Sequence, residues 1–374
     1  MTVLRFRLPA LVIVLTIFFI CSSSRTLAAQ ASPENQAPGL VSPADNSIEP
    51  PDTTVRTARV QWRQLFNSGN WTELDAVANQ LRSQRLRFQG GAWQLNVFYN
   101  TVGPAGQQTA SDAAWETQIA RLQEWAQAEP ASATPRIALA DAYLAFAWKA
   151  RGNGFANTVA PDGWTRFRQR VQKARTTLES AAQLNSGDPE WYRAMQTVAL
   201  AQGWNREQVD ALVDQALNKE PGYFAFAVAE SNYLLPKWYG KAGETEEFAA
   251  RVADRIGGPE GDATYFLIAA RINCCRKTQA PAIAWARVRQ GYAALEQLYG
   301  TNLFERNALA YLALKAGDGA TAQAAFAKIG DDWDAIVWRS KPRFNASRLG
   351  HPMGDVQPVQ PDATTQTESS NSSE

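Results

Sequence analysis

A side-chain nucleophile needs a base beside it, and the 374 residues hold one histidine, His351, and three cysteines. His351 stands in a polar C-terminal stretch, so a Ser-His or Cys-His pair would have to be built around a tail residue. Cys274 and Cys275 are neighbours that can close a strained vicinal disulfide or pack as small apolar groups near a helix end. So few imidazoles and thiols make no zinc-type ligand set, and no G-x-x-x-x-G-K-[ST] phosphate loop occurs, so neither metal nor cofactor is expected. Carboxylates are the remaining route. Glu230, Glu244, Glu247 and Asp262 could meet in space as the two acids of a glycoside hydrolase, although nothing in their spacing singles out a pair. The inventory leans towards binding and away from an enzyme.

Three stretches could bind. In "YLLPKWYG" (233–240), Trp238 and Tyr239 could form a flat platform for a sugar or peptide, with Lys237 at its rim. The plainer reading is structural. Pro236 lacks an N–H and crowds the preceding turn, so it stops a helix at or near Leu235; the rings then wedge between helix pairs while Gly240 lets the chain turn. In "ARGNGFANTV" (150–159), Asn153, Phe155 and Asn157 could be presented by a loop over a groove, or the asparagines could serve only to satisfy helix ends, Asn157 capping a turn before Pro161. "WTRFRQRVQKAR" (164–175) sets Arg166 and Arg170 one turn apart, either for an anionic partner or as a solvated face.

The elements that would position these residues are helical. In "WTELDAVANQLRSQ" Leu74, Val77, Ala78 and Leu81 share a face behind Asn70, a good N-cap. "WETQIARLQEWAQAEP" repeats the period with Trp115, Ile119, Leu122 and Trp125. "TPRIALADAYLAFAWKARG" starts with proline and ends in glycine, and helices are expected over 162–184, 189–202, 205–219, 221–235, 243–256, 260–275, 280–299, 303–316 and 318–329. Alternating strand patterns are nearly absent, so the fold class is all-α. The joints "EPASATP", "DPEWY" and "EPGYF" look alike, and Pro189 and Pro221 lie 32 residues apart, as proline joints do in antiparallel helix pairs. Ala310, Ala313 and Ala322 with Phe326 supply the small-large alternation of close-packed pairs. We expect stacked antiparallel helix pairs, an irregular tetratricopeptide-like solenoid.

Four stretches carry a resemblance: 74–99, "IALADAYLAFAWKARGNGFANTV" (137–159), "YLLPKWYG" and "AFAKIGDDWD" (325–334). Together they resemble a family of uncharacterised bacterial tetratricopeptide-like proteins, catalogued as a domain of unknown function and often bearing a signal peptide. The resemblance spans about 60–340 and implies an all-α fold, with no activity and no functional residues to carry over.

The ends carry other information. "MTVLRFR", a 14-residue apolar run and "SSSRTLAAQA" read as the three regions of a secretory signal peptide (1–31) cut after Ala31, giving a periplasmic or secreted protein; a membrane is involved only if that segment is retained. Loss of its three arginines takes the net charge from +1 to −2, which disfavours nucleic acid as a partner. Residues 32–52 read as a flexible linker, 53–348 as the helical domain and 349–374 as a disordered tail. The expected function is an interaction module for a protein or peptide in the cell envelope; the alternative is a glycan binder or hydrolase using tryptophans and a carboxylate pair.

Overall fold

The computed structural model describes residues 53–351 apart from 104–109, 153–155, 185–186, 237–238 and 274–282. The leader, the linker, Cys274–Cys275 and most of the tail lie outside the described residues. Among the described residues the chain forms α1 (Thr53–Ser68), α2 (Trp71–Ser83), α3 (Gln94–Val102), α4 (Asp112–Ala128), α5 (Thr134–Arg151), α6 (Pro161–Ala182), α7 (Pro189–Gln202) and α8 (Arg206–Lys219). There follow α9 (Phe224–Tyr233), α10 (Glu244–Ile256), α11 (Gly258–Asn273), α12 (Trp285–Tyr299), α13 (Leu303–Ala316), α14 (Gly319–Ile329), α15 (Ala335–Trp338) and α16 (Lys341–Arg348). One isolated antiparallel bridge, Arg87 to Trp93, is the only β pairing there. The fold is all-α, as the periodicity requires. None of the described helices is long and apolar enough to cross a membrane.

Local signals place most helices. The Ser111 hydroxyl accepts the Ala114 N–H at the start of α4, and Trp115, Ile119, Leu122 and Trp125 are all buried along one stripe. Pro161 and Pro189 open α6 and α7 in the first turn, where a missing N–H costs nothing. Two expectations fail. Asn70 does not cap α2; its amide donates to Glu73 instead, 2.6 Å away. Pro221 does not open α9, which begins at Phe224, because residues 220–223 close a turn through the Tyr223 N–H to Glu220 carbonyl bond of 3.0 Å. Helix α9 ends at Tyr233, two residues before the expected stop. At Gly240 any Cβ would lie 1.9 Å from the Leu234 carbonyl oxygen, so only glycine fits this joint.

The odd-numbered helices α5, α7, α9, α11 and α13 pack each against the next, with α4, α6, α8, α10, α12 and α14 set between or beside them. This is the packing of stacked helix pairs. The even helices bury one stripe, such as Val209, Leu212, Val213, Ala216 and Leu217 on α8. The odd helices bury more. From Thr134 to Trp148 only Arg136 and Asp141 of α5 are partly exposed, and α13 is buried from Phe304 to Ala313 except at Arg306. A helix apolar all round needs cover on every side.

Part of that cover is the segment between α2 and α3. Residues 84–93 make a tight turn at Gly90–Gly91 (φ +81° and +77°) whose limbs pair at Arg87 and Trp93. Each limb is about five residues long, roughly 17 Å. Residues 82–96 touch five odd helices at or just before their N-terminal ends: α5 at Thr134, α7 at Asp188, α9 at Gly222, α11 at Glu260 and α13 at Asn302 and Glu305. Residues 84–93 thus lie against the N-terminal ends of α9, α11 and α13.

Six of the twelve described tryptophans are buried and the other six are half-buried against the core. Trp71 stacks on Trp125 (6.1 Å, 15°), Trp115 stacks on Phe146 (5.3 Å, 2°), and Trp338 is ringed by Tyr311, Phe326 and Phe344.

Candidate functional site

Of the binding residues expected from sequence, Asn153, Phe155, Lys237 and Trp238 lie outside the described residues. Asn157 sits in a short 3-10 turn, Ala156–Thr158, with an exposed side chain, and it does not cap α6, whose N-cap is Ala160. Tyr239 is 49% exposed and stacks on Tyr233 at 4.8 Å and 20°, so one of its faces is already covered. The two stretches are not brought together by any described contact. The basic run is a salted helix face: Arg166 pairs with Asp162 at 2.9 Å, while Arg170 donates to the Phe146 carbonyl (2.8 Å) and lies 3.2 Å from that residue's ring centre.

The structure assembles a different set of charged groups. Arg82, Arg85 and Arg87 reach successive acids at or before the starts of α7, α9 and α11. Arg82 Nε donates to Asp188 Oδ2 at 2.9 Å, and its Nη2 donates to Thr134 Oγ1 of α5, also at 2.9 Å. Arg85 Nε donates to Glu220 at 2.8 Å. Arg87 donates to Glu260 at 3.2 Å and lies 3.3 Å from the Trp93 ring centre; burial pulls its pKa down to about 10. Trp93 Nε1 donates to the Gly222 carbonyl at 2.7 Å, and Gln89 donates to the Thr301 carbonyl at 3.0 Å. At Gly90 a Cβ would lie 2.6 Å from Glu305 and Asn302 side-chain atoms at the start of α13. Asp188 and Glu260 stand at helix N-termini, where the macrodipole favours an acid, while Glu220 is the C-cap of α8; each of the three meets one of these arginines.

Behind this comb lies a sealed knot. Asp188, its side chain 0% exposed, caps α7 by accepting the Glu190 N–H (2.9 Å) and also accepts the Tyr99 hydroxyl (2.6 Å). Glu190, equally buried, accepts from Tyr223, from Arg193 and from Asn96 (3.1 Å), while Arg193 also bridges to Asp141. Burial pushes Glu190 up to about 7, against the pull of Arg193. Glu230, 2% exposed, is pushed up to about 8 by burial, with Gln196 donating to it at 3.4 Å. Such values suit general acid-base work, yet these carboxyls are enclosed by protein and their bonds end on protein groups. Of the other acids considered as a hydrolytic pair, Glu244 pairs with Arg206 (3.2 Å), Asp262 accepts from Gln290 (2.7 Å), and Glu247 is exposed in the first turn of α10.

Sequence reasoning missed this knot, although a signal was present: Asp141, Arg193 and Glu230 are each a charge inside a largely apolar helical run. A charge at such a place must be paired or neutralised.

One open cleft, of about 340 Å³, lies between α6, α7 and α8. Trp191, Trp204, Met195 and Leu212 line it together with Gln183, Gln208, Gln215 and Glu179. Trp191 Nε1 donates to the Leu178 carbonyl (2.8 Å) and Trp204 Nε1 to Gln202 (3.1 Å), which fixes both rings. Its volume falls within the range of small-ligand sites. Comparison with family models, with curated proteins and with solved structures finds no match to this chain.

Proposed function

We propose that the protein is an exported, tetratricopeptide-like interaction module of the cell envelope that holds a partner on the outside of its helix stack and does no chemistry on it. The observation that carries this reading is the contrast between two places. Glu190 and Glu230, whose proton affinity is raised most, are enclosed and hydrogen-bonded to protein, whereas the α6–α8 cleft presents rings and amides to solvent. Enclosed acids are spent on the chain's own donors, and an open aromatic cleft can bind without reacting. A protein or peptide and an envelope glycan both suit such a role.

The test uses the full chain with its leader. After expression in a bacterial host, fractionation should place it outside the cytoplasm with its N-terminus near Ser32. The immobilised protein should retain from envelope extract a partner that rebinds once purified, and Trp204→Ala should lose it. A chain kept in the cytosol with residues 1–31 intact, or an extract that yields nothing able to rebind, overturns the reading.

A further inference from the structure

Resting on that reading, we infer that the ligand of the α6–α8 cleft is a neutral glycan chain. Three features of the lining select it. The first is charge. Glu179 is the one ionisable side chain in the lining, and Arg175 Nε donates to it at 2.8 Å, so the cleft makes no demand for an ionic partner. The second is the state of the indoles. A groove that grips an extended proline-rich peptide commonly uses a tryptophan N–H to bond a peptide carbonyl, but both indole N–H groups here are already given to Leu178 and Gln202. What they offer a ligand is ring surface, which matches the C–H faces of pyranose rings. Trp204 is further held by the Arg175 guanidinium, 5.3 Å from its ring centre.

The third feature is the amides. Gln183 and Gln215 are exposed at the cleft and make no hydrogen bond among the described residues. Gln208 Oε1 accepts the Asn205 N–H (3.1 Å), and its NH₂ meets no acceptor among the described residues. A side-chain amide both donates and accepts, which pairs it with adjacent sugar hydroxyls that do the same. Fixed rings flanked by uncommitted amides are a carbohydrate-binding surface in chemical terms, because orientation comes from the amides and contact area from the rings.

The experiment titrates the full-length protein with chitohexaose, cellohexaose and maltohexaose, and separately with a proline-rich decapeptide, following indole fluorescence and calorimetric heat. We expect saturable binding of at least one hexasaccharide and none of the peptide. Trp204→Ala should weaken that binding tenfold or more. Gln215→Ala, an exposed polar change that leaves the core alone, should weaken it several-fold with unchanged thermal unfolding, which keeps the test decisive if the tryptophan variant folds poorly. Peptide binding that depends on Trp204, with no sugar bound at millimolar concentration, overturns the glycan assignment and leaves the interaction module standing. Failure of every probe, together with envelope capture indifferent to Trp204→Ala and Gln215→Ala, overturns both.

Discussion

Replacing Asp188 by alanine should be among the most damaging single changes in the chain. Among the described residues the carboxylate accepts from four donor groups: Arg82 Nε and Nη2, the Tyr99 hydroxyl and the Glu190 backbone N–H. Its removal leaves Arg82, whose side chain is only 16% exposed, without its counter-charge, a loss of about 3–5 kcal/mol for a buried pair broken on one side. The helix cap adds about 1 kcal/mol and the stranded Tyr99 hydroxyl about 1–3 kcal/mol. These losses share atoms and do not add in full, so a total near 4–5 kcal/mol is expected. That is a large part of the roughly 5–15 kcal/mol that holds a domain together. Urea unfolding, followed by indole fluorescence and far-ultraviolet circular dichroism, measures it. Asp188→Asn, which can still cap α7, should lose about half as much. The double change Arg82→Met with Asp188→Ala should recover about 2–3 kcal/mol relative to the sum of the singles. A loss under about 1.5 kcal/mol for Asp188→Ala, or strict additivity in the double variant, would refute the role given to the buried pair.

Other consequences follow from the same contacts. Burial lifts Glu230 from 4.5 to about 8, among Asp210, Arg206 and Arg251, so the folded chain keeps a proton that the unfolded chain releases, and stability falls as pH rises through that window. Glu230→Gln should match the parent near pH 4 and be the more stable by on the order of 3–5 kcal/mol at pH 8, read from denaturation curves across pH; a difference independent of pH would contradict it. Gly91→Ala, placing a Cβ 3.0 Å from Leu295 at φ +77°, should cost about 1–3 kcal/mol in the same assay. Gly240→Ala should cost more, since backbone rather than a movable side chain stands in the way; equal tolerance of both changes in thermal melts would speak against the geometry of these two turns.

The helices were legible because their period is strong and local. The stripes Leu74–Ala78–Leu81 and Trp115–Ile119–Leu122–Trp125 are buried as their spacing demands, and Ala310, Ala313, Ala322 and Phe326 sit in the packed pair they suggested. Where a side chain has two competing partners, local reading fails: Asn70 bonds Glu73 rather than the helix backbone, and Pro221 lies in a turn that delays α9 to Phe224. The arginine comb was not legible, because Arg82 and Asp188 are 106 positions apart and only the packing of the helices brings them together. The joints "DPEWY" and "EPGYF" read as punctuation; their acids and Tyr223 turn out to be the anchors for residues 82–96. The outer cleft was equally hidden, since Trp191 and Trp204 come from an early turn of α7 and from the α7–α8 joint and look in sequence like further core rings.

The account rests most on residues 84–93 being packed against the N-terminal ends of the odd helices, with a partner held instead at the α6–α8 cleft. Hydrogen–deuterium exchange of the full chain tests this directly. The amides of Phe88, Gly91 and Gln94, bonded at 2.8, 3.0 and 2.9 Å within the turn, should be protected as strongly as those of α5 and should not change when ligand fills the α6–α8 cleft. Exchange of these amides at the rate of an open loop while α5 and α13 stay protected, or new protection appearing there on ligand binding, would contradict it.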